Sequence, residues 1–254
     1  MNITAYRSST VTPGHDLYQL LDESLPVIPP NSIVVITSKI ISLCQNQIIP
    51  KQEVTDKQSL IQQESEYYLE GAYIQRYGIC LTIKNQLLIP TAGIDESNGQ
   101  DYYILYPQNI PKTATEIWHH CRRKNSNQPV GVLITDSHTT PLRRGVMGIA
   151  LGWCGFKPLY SYIGKPDLFG NPIRVTQVNI LDALAASAVF VMGEGNEQTP
   201  LAIIEQAPRI HFEDHPPTQQ DLDSVTINSK DDLYAPLLES VSWKKGSKFP
   251  SPVE

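Results

Sequence analysis

Positive charge is scarce in this sequence: 20 lysines and arginines stand against 26 acids in 254 residues, a formal net charge of −6. A protein that neutralises a phosphate backbone needs a clustered basic surface, so this balance argues against a nucleic-acid partner. Local basic spots, Arg122-Arg123-Lys124 and Arg143-Arg144, remain compatible with a small phosphorylated ligand. Cysteine is also sparse. Cys44, Cys80, Cys121 and Cys154 are scattered with no CxxC spacing, so no zinc site or disulfide framework is indicated, and each reads as a small buried hydrophobe. No apolar run approaches the roughly 20 residues that cross a bilayer, and the N-terminus does not resemble a signal peptide. The expectation is a soluble, cytoplasmic protein without internal repeats. The glycine-rich stretch from Gly145 to Gly155 lacks both the GxGxxG and the P-loop spacing; its small residues point to close backbone packing, within the chain or between subunits.

Two stretches carry chemistry. Pro90-Thr91-Ala92-Gly93-Ile94-Asp95-Glu96-Ser97-Asn98-Gly99 follows the apolar Leu87–Ile89 and breaks into turn-forming residues. Carboxylate and amide oxygens suit hard cations such as Mg²⁺, so Asp95 can hold a metal while Asn98 hydrogen-bonds a ligand; the plain alternative is a polar turn after a strand. Val130 to Ser137 is a β-branched apolar run ending in Asp136 and Ser137. It reads as a buried strand with both polar groups at its carboxyl end, where sheets flanked by helices usually collect their ligands. If the two strand ends converge, Asp95, Asp136 and Ser137 can share one divalent cation.

Other segments add anion-binding chemistry. Thr37-Ser38-Lys39 follows the buried strand Ile33–Ile36, and a lysine there is either a mobile phosphate contact or an ordinary solvated residue. Arg143 and Arg144 can brace a carboxylate or phosphate bidentately, or make surface ion pairs. Gly193-Glu194-Gly195-Asn196-Glu197-Gln198-Thr199 can form an anion-binding nest of backbone N–H groups, or a flexible turn. His138, beside Asp136, is left without a role.

Taken together, Ala92 to Asn98, Ile134 to Ser137, Arg143-Arg144-Gly145, Gly148 to Gly152 and Lys165-Pro166-Asp167-Leu168-Phe169-Gly170 resemble the coenzyme F-420:L-glutamate gamma-ligase family, including its folate-metabolism branch. The resemblance runs from the N-terminus to about Ala207. It implies an α+β fold of mixed sheets with flanking helices, an intertwined homodimer with its site near the subunit interface, and a catalytic domain over 1–207 (one unit or two intertwined subdomains), followed by a C-terminal extension over 208–254. It also implies GTP or ATP as co-substrate with Mg²⁺ or Mn²⁺, and addition of L-glutamate through an amide bond to a deazaflavin acceptor by way of an acyl phosphate. The alternatives are a folate-like acceptor, or a nucleotide-binding protein without activity. By the same resemblance, Ser38, Lys39, Asn98, Gly193, Gly195 and Asn196 hold nucleotide. Asp95, Asp136, Ser137 and Glu194 hold metal, and Arg143 and Arg144 brace an anionic substrate. The chain departs from the family at Leu43, where a second lysine is common, and around Ser8-Ser9-Thr10-Val11, which replaces a Leu-Pro-type loop.

The remaining periodicity predicts an edge strand at Ile3–Tyr6, a helix within Asp16–Leu25, and helical content from Asp56 through Leu69. It also predicts a hairpin of Tyr77–Ile83 and Gln86–Ile89 around Lys84-Asn85, and a helix from near Lys112 to Lys124. A long-looped hairpin is expected around Tyr162–Pro172 with a return strand at Val175–Ile180, then a helix over Ile180–Ala188 and a strand at Val189–Met192. His211–Pro217 reads as a linker.

Overall fold

In the computed structural model, residues 1–71 and 78–248 are described. In chain order the elements are β1 (Asn2–Tyr6), α1 (Leu17–Ser24), β2 (Ser32–Thr37), α2 (Ser38–Cys44), β3 (Ile48–Pro50), α3 (Lys57–Glu64), β4 (Tyr67–Leu69), β5 (Leu81–Lys84), β6 (Leu87–Pro90), β7 (Tyr102–Ile104) and α4 (Ile110–Lys124). Then follow β8 (Val130–Thr139), β9 (Val146–Cys154), β10 (Leu159–Ser161), β11 (Gln177–Asn179), α5 (Ile180–Met192), β12 (Leu201–Glu205), α6 (Gln219–Ser224), α7 (Ala235–Leu238) and β13 (Trp243–Lys245). This is the mixed α+β architecture expected.

The main sheet has the order β1-β12-β2-β8-β9, with β2 and β8 parallel and every other pair antiparallel. β2 and β12 are apolar on both faces because both faces are covered. Val34 and Ile36 point to α1, α2 and α4, whereas Ile33 and Val35 point to α5. The glycines of β9 admit those helices closely. A Cβ at Gly148 would lie 2.3 Å from the Ala185 carbonyl of α5, and one at Gly152 would lie 2.5 Å from Ile110 of α4. The close packing expected of Gly145–Gly155 is therefore found within the chain.

A smaller lobe holds the sheet β13-β4-β5-β6 and the pair β3-β7, over a satellite core of Leu60, Ile61, Cys80, Ile94 and Leu105. The β5–β6 hairpin turns at Asn85 and Gln86, both at positive φ (51° and 60°), one residue later than expected; the part of that strand assigned to Tyr77 lies outside the described residues.

Four expectations need correction. Tyr67–Leu69 is a strand, because α3 ends at Glu64 and the tyrosines pair with both β5 and β13. Val189–Met192 continues α5 despite its β-branched content. Ala185, Ala188, Val189 and Met192 keep a buried face at helical spacing up to Gly193, so tertiary packing overrides local strand preference. The return strand of the long-looped hairpin is only Gln177–Asn179. His211–Pro217 is not a linker: the Glu213 N–H donates to the Gly155 carbonyl and the Lys157 N–H to the His211 carbonyl. Lys157 bridges Glu213 and Asp221 at 3.3 and 2.9 Å. Phe212, Leu222 and Val225 pack on the α5 side of the core.

No described helix is long and apolar enough to cross a membrane. All four cysteines are free, and burial pushes the Cys121 and Cys154 thiols up to about 12, as inert core thiols should be.

Candidate functional site

The two lobes meet at a cavity of about 610 Å³. Asp95 enters from the smaller lobe and Asp136 from the main sheet, so the two predicted acids do converge. Each is delivered by irregular backbone. After β6, Thr91, Ala92 and Gly93 all take positive φ (53°, 54° and 70°), a left-handed turn that disfavours β-branched threonine in particular. Buried hydrogen bonds hold it. Thr91 N–H donates to the Cys80 carbonyl at 2.7 Å, and Ala92 N–H to Thr82 Oγ1 at 2.8 Å. Asp95 then exchanges two 2.9 Å backbone bonds with Ile104.

In β8, Ile134 pairs with Gly152 and Thr135 with Ala150, a bulge that leaves Leu151 unpaired. Such a bulge re-aims the side chains beyond it. Asp136 and Ser137 thus lie inside a longer strand, past its bulge, rather than at its end as expected.

The Asp136 carboxyl keeps one side open to the cavity and is crowded by protein elsewhere. Burial raises its pKa to about 7, and Asp95 pushes in the same direction; hydrogen bonds from Tyr106 and the Ser137 N–H, and the charge of Lys39, oppose the rise. Tyr106 is itself buried, with its hydroxyl pushed well up by burial and by Asp136. Its ring fills the space over Gly93, where a Cβ would sit 2.1 Å from it. Glu194, open to the same cavity, is raised by burial and by Asp95 and Glu197, against the pull of Lys39 and a Ser137 hydrogen bond.

Lys39, in the first turn of α2, places Nζ 2.6 Å from Asp95 Oδ2, 3.0 Å from the Ser97 carbonyl and 2.9 Å from Ser97 Oγ. Ser97 in turn donates to Asp95 Oδ1 from its N–H (2.7 Å) and hydroxyl (2.8 Å). Asn98 Nδ2 donates to the Gly195 carbonyl at 3.1 Å, tying the Asp95 loop to the glycine-containing loop after α5.

Of the residues singled out in the sequence, Lys39, Asp95, Asn98, Asp136, Ser137, Gly193, Glu194, Gly195 and Asn196 all line this cavity, as does His138. Three expectations fare differently. Ser38 is buried at 4 % exposure, and its neighbours Thr37 and Lys39 face the cavity in its place. Arg143 and Arg144 are exposed on the loop joining β8 and β9, away from the cavity lining, because those strands carry the loop outward. The amide of Gly195 is taken: it donates to Glu197 Oε2 at 2.8 Å, so the loop's anion is one of its own side chains. Sequence reasoning missed Tyr106, Ser97 and Glu197. Ser97 and Glu197 sat in plain view within the motifs, whereas Tyr106 touches its partner across 30 residues and leaves no local signal.

The donor set suits a hard divalent cation. Asp95, Asp136 and Glu194 are oxygen donors; burial is the main cause that raises Asp136 and Glu194, and the charge of Asp95 adds to both. Among the described residues, no group of three or more His, Cys, Asp or Glu is close enough to hold a metal unaided. Mg²⁺ is usually held by one or two carboxylates together with substrate phosphates. The basic and hydroxyl groups that such a substrate needs stand beside the acids, in Lys39 and Ser137.

Comparison with known proteins shows the family of the chain. The profile of the family described as F420-0:Gamma-glutamyl ligase matches residues 6–206, the span that holds both acids. The chain is 33 % identical over 189 residues to the coenzyme F420:L-glutamate ligase of Methanococcus maripaludis, covering 69 % of this chain and 76 % of that protein. It is 30 % identical over 207 residues to the enzyme of the same name from Methanopyrus kandleri (76 % and 81 %), and 30 % identical over 193 residues to that from Methanocaldococcus jannaschii (71 % and 77 %). With a family profile covering most of its length and a paired-acid cavity inside the matched span, the chain belongs to the F420-0:gamma-glutamyl ligase family of enzymes.

Proposed function

We propose that this enzyme joins L-glutamate through an amide bond to a carboxylate acceptor of the coenzyme F420 type, at the expense of GTP or ATP and with Mg²⁺ or Mn²⁺. The observation that carries the reading is the convergence of Asp95 and Asp136, from separate lobes, on one cavity beside Lys39. Asp95, Asp136 and Ser137, with Glu194 beside them, would hold the cation together with nucleotide phosphates, and the ion would supply neutralisation of charge on a transferring phosphoryl group. Lys39 and Asn98 orient the phosphates, and the loop of Gly193, Gly195 and Asn196 closes over them once Glu197 yields the Gly195 amide. An acceptor carboxylate oxygen attacks the terminal phosphorus, the bond to the bridging oxygen breaks, and nucleoside diphosphate leaves. The glutamate amine then attacks the acyl carbon and loses a proton, and inorganic phosphate departs with the carbon–oxygen bond pair.

Ordering the three reactants in one cavity supplies much of the rate, since well-oriented groups can recover about 7–11 kcal/mol of barrier. A homodimer is part of the proposal. Leu142 and Phe169 project fully or nearly fully into solvent (104 % and 86 %), Phe190 is 89 % exposed, and Val146 and Met147 are exposed as well. Exposed apolar side chains that form one patch mark association surfaces, and Leu142, Val146 and Met147 are close neighbours along the chain. Arg143 and Arg144 lie on the same loop as Leu142, and in a homodimer they would be placed to brace an anionic substrate of the partner subunit. A folate-like acceptor is the second reading, favoured by Leu43 and the Ser8–Val11 loop, which line the cavity where the family differs. Parallel incubation of the purified protein with each acceptor, glutamate, nucleotide and metal tests the proposal. A product heavier by one glutamyl unit supports it, and nucleotide binding with no adduct on any acceptor opposes it.

A further inference from the structure

The C-terminal segment lies beyond the matched residues 6–206 and yet is built into the lobe that carries Asp95. β13 pairs with β4, Trp243 opposite Leu69 and Lys245 opposite Tyr67. The Gly246 N–H donates to the Glu66 carbonyl at 3.1 Å. The fit is close: a Cβ at Gly246 would lie 1.7 Å from the Ser65 carbonyl oxygen. Just past this strand, Lys248 forms an ion pair with Glu64, whose side chain is only 7 % exposed and whose other carboxylate oxygen lies 3.4 Å from Lys84 Nζ. Lys84 is buried too, and its Nζ sits 5.6 Å from the centroid of the Tyr106 ring. Tyr106 lies against Asp136, whose charge pushes the tyrosine hydroxyl further up.

A buried carboxylate shared by two ammonium groups is sensitive to the loss of either, because removing one partner leaves uncompensated charge in a low-dielectric setting. Without Lys248, Glu64 draws Lys84 more strongly, and Lys84 in turn moves relative to the electron-rich ring face it covers.

We propose that the segment Trp243–Lys248 is a positioning strap for the site, in which Lys248, through Glu64 and Lys84, fixes the Tyr106 ring and so the Asp136 carboxyl. The effect on metal binding rests on the function proposed above; the effect on Tyr106 does not.

The test uses the full chain carrying Lys248→Met, with Lys248→Arg as the conservative variant. In Lys248→Met the buried Glu64 still faces Lys84, so the variant stays folded with a lowered melting temperature, and Lys248→Arg keeps the charge. In protein containing 3-fluorotyrosine, the Tyr106 fluorine resonance is assigned by its loss in Tyr106→Phe. Mn²⁺ affinity is measured on the same samples. The strap predicts a displaced Tyr106 resonance in Lys248→Met, Mn²⁺ affinity weaker by about tenfold, the effect typical of supporting partners around a metal, and recovery of both in Lys248→Arg. An unmoved Tyr106 resonance in Lys248→Met overturns the proposal. A moved resonance with no Mn²⁺ binding even in the unaltered chain supports the strap and refutes the metal reading instead.

Discussion

Replacing Asp136 by Asn should make the metal-free protein more stable at alkaline pH while removing its response to metal. The magnitude follows from the carboxyl's surroundings. An unfolded aspartate titrates near 3.9, whereas in the folded chain burial and Asp95 lift Asp136 to about 7. The acid therefore binds its proton more tightly when folded. Its favourable contribution is fully present below about pH 4 and is lost as the pH rises through 7. Three tenfold steps at 1.36 kcal/mol each set an upper limit of about 4 kcal/mol. The open, cavity-facing side of the carboxyl screens the charge, so about 1–2 kcal/mol is the working expectation. Asparagine keeps an oxygen to accept from Tyr106 and the Ser137 N–H, and carries no charge at any pH. For a chain of this length that difference corresponds to a melting temperature about 2–8 °C higher for Asp136→Asn at pH 8 in EDTA, closing toward pH 5. Excess Mn²⁺ should then reverse the order, because only the native carboxylate gains binding free energy from the ion. Thermal melts with EDTA and with Mn²⁺ at pH 5, 6.5 and 8 read all of this. An Asn variant that is less stable than the native chain at pH 8 in EDTA, or that gains as much from Mn²⁺, refutes the reasoning.

Further outcomes are expected. Gly93→Ala forces a methyl into the Tyr106 ring at a φ of +70°, which should destabilise the fold by about 2–4 kcal/mol from overpacking and backbone strain together; chemical denaturation checks this. Lys39→Met removes the ammonium beside Asp95 and should weaken nucleotide binding by at least about tenfold, the loss of one charged hydrogen bond, in a titration with fluorescent GTP and ATP analogues. The double change Arg143→Ala, Arg144→Ala should leave the melting temperature within about 1 °C, since both side chains are exposed. The same variant should raise the KM for an anionic substrate if the partner subunit uses them. Glu197→Gln weakens the loop's internal anion and should raise nucleotide affinity; a fall in that titration would mean that Glu197 supports the bound state instead.

What could be read from the sequence was whatever left a local pattern. Ile33–Ile36 and Val130–Ile134 declared themselves as strands because both faces of the sheet are covered, so every residue is apolar. Asp136 stood out because it ends an apolar run, and Asp95 because it lies in the turn-forming stretch that follows one. Their meeting was an inference from those two positions, and the cavity realises it. Val189–Met192 misled because four apolar residues have no period of their own, and only the sheet packed against Ala185 and Ala188 shows that they belong to a helix. The tail misled for a related reason. Prolines and mixed charge at 211–217 resemble a linker, yet their backbone bonds go to Gly155 and Lys157, more than 50 residues earlier. Tyr106 was invisible because its role exists only where β8 passes it. Arg143 and Arg144 were singled out because arginine suits anions, and nothing in their neighbours reveals that both are exposed outside the cavity lining.

The central claim is tested most directly by incubating the purified protein with a coenzyme F420-type acceptor, L-glutamate, GTP or ATP, and Mn²⁺, then weighing the acceptor by mass spectrometry. The account predicts an acceptor heavier by one glutamyl unit, with one phosphate released per addition and no product from Asp136→Asn. An acceptor of unchanged mass with both nucleotides, or full product from Asp136→Asn, would contradict it.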